Sequence, residues 1–304
     1  MYKTNINLNL YKTFYDVAKY GSISKAAKYS FTSQPAVSKA IKKLEEELNI
    51  QLFYRNLNGV LLTDKGKELL YFVEKSYSNL IIAERTMLET ENLERGKLSI
   101  GMPSNIGSFF LFDKIIDFHK KYPNIEITII TGSTSNLINL LDSHKVDFVI
   151  DTSPINVKLN DGIKVTKLDE VNYCFVVKKN TKNIEYKNIN SLSDLKDMPL
   201  ILPIQGTANR NDLDDLLMSN NINIENVINI HTSEMIISAV KKDLGIGYII
   251  YNLVDTDIKN NELEVLNIKE KLPTAEINII FDKSFLTTAP KKFIENYIDY
   301  EFNL

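Results

Sequence analysis

Five residues between positions 34 and 42 could act together if the chain there is helical. Gln34, Pro35, Ser38, Lys39 and Lys42 fall at i, i+1, i+4, i+5 and i+8, one face of an α-helix. They offer an amide, a hydroxyl, two ammonium groups and one small apolar ring. An amide can bond an adenine edge through two atoms. Ammonium groups suit phosphates, which hold register without carrying sequence information. The chemistry is recognition of a duplex groove, with no bond made or broken. A solvated polar face on a small helical domain would carry the same residue types, and periodicity alone leaves both readings open.

Such a face needs a rigid element beneath it. Val37, Ile41, Leu44 and Leu48 recur at i, i+4, i+7 and i+11 and form the opposite, core-facing stripe. Ser33 can cap this helix, and Pro35 lies in its first turn, where a missing N–H costs little. Upstream, Leu10, Phe14, Val17 and Ala18 mark a first helix that Gly21 can end in the left-handed conformation. Ser22 or Ser24 can cap a short second helix carrying Ala26 and Ala27 and ending near Ser30. A short helix, a tight turn and a helix with this outer face form the plan of a helix-turn-helix, whose second helix enters the major groove. The stretch "LFYRNLNGVLLT" follows, with the turn signal Asn58-Gly59 between two strand-like runs. That predicts a wing, with Arg55 at its start placed to reach a phosphate or a minor groove. An ordinary surface arginine is the alternative.

Charge agrees with a polyanion at this end. Residues 1–67 hold 11 Lys/Arg against 5 Asp/Glu, a net of +6, which leaves −9 for the rest of a chain of net charge −3. A basic head on an acidic body suggests that only the head meets a polyanion, and charge alone leaves chance open as the alternative.

From Asp64 to about Asn92 there is no proline, and Leu69, Val73, Leu80, Ala83 and Met87 mark one face. Thr63 can cap the helix this predicts. At 1.5 Å per residue, about 28 residues make a rod of ~40 Å. Its apolar stripe needs a partner, most simply the same helix of a second chain, with packing on its own body as the alternative.

From about Leu93 onward, strand and helix patterns alternate. "KLSIGMP", "IEITIITG" and "VDFVID" read as strands separated by helices, a βαβαβ unit with a parallel sheet. "YCFVVKK" begins a second unit containing "LSDLKDMPLILPIQG", a helix over 210–219, "VINIHTS", helical "SEMIISAVKKDLG" and "IGYIIY". "AEINIIFDK" and a helix at 290–300 return to the first sheet. Two lobes joined by two crossings leave a cleft between them. Ligands of such sheets bind beyond the carboxyl ends of strands, at helix N-termini that favour anions. The residues there are Pro103-Ser104-Asn105, Thr131-Gly132-Ser133-Thr134, Gln205-Gly206-Thr207 and His231-Thr232. They suit a carboxylate or another small polar molecule, and helix capping is the alternative role for each hydroxyl. Arg210, one of four arginines, could pair with a ligand carboxylate or form a surface ion pair.

Little points to catalysis or to a cofactor. His119, His144 and His231 are far apart, without metal-ligand spacing, and there is no P-loop and no G-x-G-x-x-G. The single cysteine, Cys174, lies in the apolar run "YCFVV" and reads as a core thiol. No apolar run approaches the ~20 residues of a membrane span. "MYKTNINLNL" lacks the basic start and long apolar stretch of a signal peptide, so a cytoplasmic protein is expected. A small-molecule sensor that binds nucleic acid without sequence preference, as an architectural protein, and an enzyme on this two-lobed scaffold with an added helical head are the rival classes. Competition with unrelated duplex would separate out the first, and turnover of a cleft ligand would support the second.

These residues also carry a family resemblance. Phe14, Gly21-Ser22, Ala26-Ala27, Ser33 through Ser38, Ile41, Leu44-Glu45, Leu52-Phe53, Arg55 and Leu62-Thr63 with Gly66 resemble the DNA-binding domain of the LysR-type transcriptional regulators. Gly96 through Gly101, Phe118 with Tyr122-Pro123, Asp147, and Gly245-Ile246-Gly247 resemble that family's effector domain. Lys39, Asn58 and Tyr251 depart from the commoner residues at their positions. The resemblance covers essentially the whole chain. It implies an α/β protein: a winged helix-turn-helix over 1–63, a dimerising linker helix over 64–92, and over 93–304 an effector domain resembling periplasmic solute-binding proteins. Lobe 1 would span about 93–165 and 268–304, and lobe 2 about 166–267. It further implies contact of Thr32, Ser33, Gln34, Pro35, Ser38, Lys39, Lys42 and Arg55 with double-stranded operator DNA. A small-molecule effector in the cleft, assembly into a homodimer or homotetramer, and contact with RNA polymerase complete what it implies.

Overall fold

The computed structural model describes residues 6–56, 59–88, 93–152, 159–160, 162–298, 300 and 302. The chain divides into two units, Met1–Met87 and Leu88–Leu304.

In the first unit, α1 (Leu8–Tyr20) buries Leu10, Phe14 and Val17 and ends at Gly21, whose φ of 60° suits a residue without a Cβ. Ser22 caps α2 (Ile23–Tyr29), which buries Ala26 and Ala27. Phe31 and Thr32 make the turn, with Thr32 N–H bonded to the Ala27 carbonyl at 3.0 Å. Ser33 caps α3 (Gln34–Leu48) by accepting from Ala36 N–H, and Val37, Ile41 and Leu44 are buried. Leu48, last of the predicted stripe, is half-buried beside the same core. Strands β1 (Phe53–Asn56) and β2 (Gly59–Leu62) pair antiparallel, with Asn56 opposite Gly59. Leu57 and Asn58, the tip of the predicted wing, lie outside the described residues. The hairpin is docked on the turn after α1. Val60 N–H bonds to the Gly21 carbonyl at 3.1 Å, and a Cβ on Gly59 would stand 2.5 Å from that oxygen.

Helix α4 (Asp64–Leu88) starts at Thr63, whose hydroxyl accepts from Gly66 N–H at 2.9 Å. Residues 89–92 of the predicted helix lie outside the described residues. Leu69, Leu70, Val73 and Tyr77 of its first half join the unit's core. Its second half exposes Leu80 (58%), Ile81 (55%), Met87 (79%) and Leu88 (76%).

The second unit is a nine-stranded mixed sheet flanked by helices. Strand β3 (Gly96–Met102) is followed by a turn of helix α5 (Ser104–Ile106), a π-helical segment (Gly107–Leu111) and α6 (Phe112–Lys121). Then come β4 (Ile125–Thr131), α7 (Thr134–Asp142) and β5 (Phe148–Thr152). Both β4 and β5 run parallel to β3. Strand β6 (Ile163–Lys178) is continuous through both halves. The other half holds β7 (Leu200–Pro203), α8 (Ala208–Ser219), β8 (Val227–Ile230), α9 (Ser233–Lys241) and β9 (Ile246–Ile250), with β8 and β9 parallel to β7. Short α10 (Asp255–Lys259) and β10 (Leu263–Val265) lead to β11 (Thr274–Asp282) and α11 (Thr288–Tyr297).

One strand, β6, pairs with both halves. β6 pairs with β11 from Ile163 to Asn172 and with β9 from Tyr173 to Val176. The hand-over thus falls at Asn172/Tyr173, inside one strand, whereas the sequence reading divides the lobes near residue 165. The first part of β6, "IKVTKLDE", alternates with many charged residues and half-exposed positions, so it gives no continuous apolar signal. The last helix begins at Thr288 and ends at Tyr297, short of the predicted 300.

Candidate functional site

The first candidate site is the outer face of α3. Thr32, Ser33, Gln34, Pro35, Lys39 and Lys42 are exposed, and Ser38 is half-buried. The helix that presents them is held from both ends. Ser33 fixes the N-terminus, and Asn49, at φ 53°, closes the C-terminus by donating to the Glu45 and Glu46 carbonyls. Lys42 Nζ lies 3.6 Å from the Glu46 carboxylate on a face where both side chains are more than half exposed, so the pair is weak and exchangeable with phosphate. The backbone of Arg55 lies in β1 opposite Val60; its side chain is outside the described set. The structure thus gathers seven of the eight predicted contact residues on one turn and helix.

One exposed residue of this region is absent from the sequence reading. Phe31, in the turn before α3, has φ 51° and is 98% exposed. A bulky residue at positive φ is an outlier, and only the preceding Tyr-Ser and following Thr-Ser hint in the sequence that position 31 is a turn.

The second candidate site is the set of strand ends in the other unit. Parallel pairing sets Met102 opposite Thr131, which makes Pro103-Ser104-Asn105 and Gly132-Ser133-Thr134 neighbours. It likewise sets Pro203 opposite Ile230, which makes Gln205-Gly206-Thr207 and His231-Thr232 neighbours. Capping accounts for one of the hydroxyls: Thr232 accepts from Met235 N–H at 3.4 Å. Ser133 and Thr207 hold the N-cap positions of α7 and α8 without a side-chain cap bond. Ser133 Oγ meets Ser135 Oγ at 3.3 Å, and Thr207 Oγ1 donates to the Ile204 carbonyl at 2.9 Å. Asn105 is engaged locally, its Oδ1 accepting from Ile106 N–H at 3.0 Å.

The two halves meet electrostatically at Tyr173. Burial pushes its phenol up, and the charges of Asp212 (α8) and Asp151 (β5) add to the shift. Tyr248 of β9 stacks on it at 5.2 Å, and its buried hydroxyl has no hydrogen-bond partner. A depression of about 610 Å³ lined by Asp212, Asp215, Leu216, Lys271, Leu272, Pro273 and Thr274 contains none of the strand-end residues, and Asp215, Lys271 and Thr274 in its wall are exposed.

Arg210 forms an ion pair, but a buried one: it is 4% exposed, and its partner is Asp214 one turn along the same helix. Its guanidinium donates to Asp214 at 2.7 Å, to the Pro203 carbonyl at 3.0 Å and to Asn229 Oδ1 at 2.6 Å, tying α8 to β7 and β8. Cys174 is 6% exposed, and burial pushes its thiol up to about 12. Among the described residues no three His, Cys, Asp or Glu side chains form a metal set, and no helix is long and apolar enough to cross a membrane.

Comparison with known proteins matches both units of the chain. Residues 8–67 match the family described as bacterial regulatory helix-turn-helix protein, lysR family, and residues 91–299 match the LysR substrate binding domain. The HTH-type transcriptional regulator SoxR of an Arthrobacter species is 28% identical over 285 residues, 93% of each chain. A full-length OxyR variant from Pseudomonas aeruginosa superimposes with a TM-score of 0.70 at 20% identity, covering 98% of this chain and 95% of that one. Full-length CbnR complexed with its target DNA gives 0.54 at 16% identity over 96% of this chain and 98% of that one.

Proposed function

The chain belongs to the LysR family, DNA-binding transcriptional regulators that carry an effector-binding domain, and on that premise we propose which residues carry each part of the work. Helix α3 enters the major groove with its N-terminal residues toward base edges. Gln34 reads a base, with Pro35 and Ser38 beside it. Thr32, Ser33, Lys39 and Lys42 hold phosphates, and Arg55 reaches a phosphate or the minor groove from the wing. The observation that carries this reading is the division of α3, with Val37, Ile41 and Leu44 buried and Gln34, Lys39 and Lys42 exposed.

The second half of α4 pairs with its copy in another chain through Leu80, Ala83 and Met87, and two such dimers form a tetramer. The effector is a small polar molecule at the strand ends, held by Pro103, Ser104, Asn105, Thr131, Gly132, Ser133, Thr134, Gln205, Gly206, Thr207, His231 and Thr232. The strand-end hydroxyls and the N-termini of α7 and α8 suit its acceptor groups. Binding favours one arrangement of the assembly over another and shifts the population. The spacing of recognition helices changes with it, and with that DNA bending or contact with RNA polymerase, in the cytoplasm. Selection of bound duplexes from a randomised pool tests the DNA reading, and a thermal-shift screen of metabolites tests the cleft, since a ligand at 100 times its Kd adds ~2.7 kcal/mol.

A further inference from the structure

Asp151 lies at the carboxyl end of β5, two residues beyond Val149 on the same face of the strand. Val149 packs with Leu137 and Leu141 of α7, so Asp151 continues that face to the first turn of the helix. The residue is 2% exposed. Its Oδ1 accepts from Thr152 N–H at 2.7 Å, and that N–H and the nearby Thr134 hydroxyl oppose the upward push of burial on the carboxyl. Its Oδ2 is buried with no hydrogen-bond partner. Asn278, opposite on β11, is buried too, but its Nδ2 points to the Glu276 carbonyl at 3.4 Å. No cationic side chain among the described residues pairs with Asp151, and burial pushes its carboxyl above the usual range.

A buried carboxylate oxygen without a donor destabilises the fold. Oδ1 is held by the Thr152 N–H, and that bond leaves Oδ2 without a partner. A neutral donor would satisfy the oxygen and leave the charge buried. A cationic donor satisfies both, through the shorter and stronger charge-assisted bond. The neighbouring strand end adds the opposite chemistry: Thr131, Ser133 and the α7 N-terminus without its side-chain cap favour an acceptor such as a carboxylate.

We propose that the effector of this cleft carries a protonated amine that donates to Asp151 Oδ2, with an acceptor group held at the strand-end hydroxyls, so that its chemical class is an amino acid or a similar amine-bearing zwitterion. The inference rests on reading the strand ends as the effector site. Asp151 then sets specificity by rejecting molecules of the same skeleton that lack the amine.

The test uses the full chain and Asp151→Asn, with the twenty standard amino acids, putrescine, and the 2-oxo acids matching the amino acids. Thermal shift finds binders and calorimetry measures them. At least one amine-bearing probe is expected to bind the parent, at least tenfold more weakly to Asp151→Asn, while its 2-oxo counterpart does not bind. Without probe, Asp151→Asn is expected to melt at or above the parent temperature, because it removes an unpaired buried charge. A variant that unfolds or melts several degrees lower gives Asp151 a structural role and overturns the proposal. Equal binding of 2-oxo acids and amino acids to both proteins overturns it as well, as does silence of every amine-bearing probe. The cleft reading fails separately, if whatever binds is indifferent to Thr131→Val and Thr207→Val.

Discussion

The carboxylate of Glu45, on the inner side of α3, accepts the backbone N–H of Leu52 at 2.7 Å and that of Phe53 at 3.1 Å. These are the first N–H groups of the wing, so one side chain couples α3 to the hairpin that follows. Thr63 N–H closes the far side on the Leu52 carbonyl at 2.9 Å. Glu45→Ala would leave two part-buried donors unpaired, at a cost of about 1.5–3 kcal/mol for hydrogen bonds to a charged group. Urea unfolding followed by a probe in the first unit is expected to show that loss. DNA affinity should fall in the same variant, because the wing loses its anchor to α3.

The thiol of Cys174 predicts a pH effect. Burial holds it at about 12 against an ordinary value of 9.0. Between those values the unfolded chain binds fewer protons at this group than the folded chain, so unfolding becomes easier as pH rises. Stability is therefore expected to be unaffected by this group below about pH 9 and to fall above it, by at most ~1.4 kcal/mol per pH unit. Cys174→Ala should flatten that part of the profile. In the native protein at pH 8 the thiol should resist an aromatic disulfide reagent and react once denatured.

Helix α4 predicts a self-association that one charge would break. Leu80 and Met87 are spaced by seven residues and are largely exposed, 58% and 79%, on a helix whose first half is anchored in its own unit. Leu80→Glu is expected to lower the oligomeric state in sedimentation velocity while leaving the circular dichroism of the chain unchanged. An unchanged sedimentation profile would place the subunit contact elsewhere.

Much of this architecture was legible because helix and strand periodicity tracks burial. Phe14, Val37, Ile41 and Leu44 follow the helical repeat and are buried, and the caps at Ser22, Ser33 and Thr63 are the residue types that cap. The βαβ order reads from apolar runs such as "VDFVI", which are strands covered on both faces. What the sequence hides depends on long-range pairing. The polar first half of β6 is a strand because β11 pairs with it, and nothing local says so. Arg210 looks like a surface residue until Pro203 and Asn229 are seen to close over it. Asp151 stands in the sequence as the polar end of an apolar run. Its one signal is that the strand's inward face continues to it from Val149, and only the fold shows that its second oxygen meets no donor.

The account depends on the exposed face of α3 reading base sequence, and selection of bound duplexes from a randomised pool measures that directly. The parent chain is expected to enrich one motif and to bind it ~10³-fold or more tightly than unrelated duplex at the same salt. Gln34→Ala should relax the preference at one position, a change worth ~1–3 kcal/mol. Lys42→Ala should weaken binding to all duplexes alike and reduce the salt dependence by about one unit of slope. A pool that stays random, or two variants that select and bind as the parent does, would contradict the account.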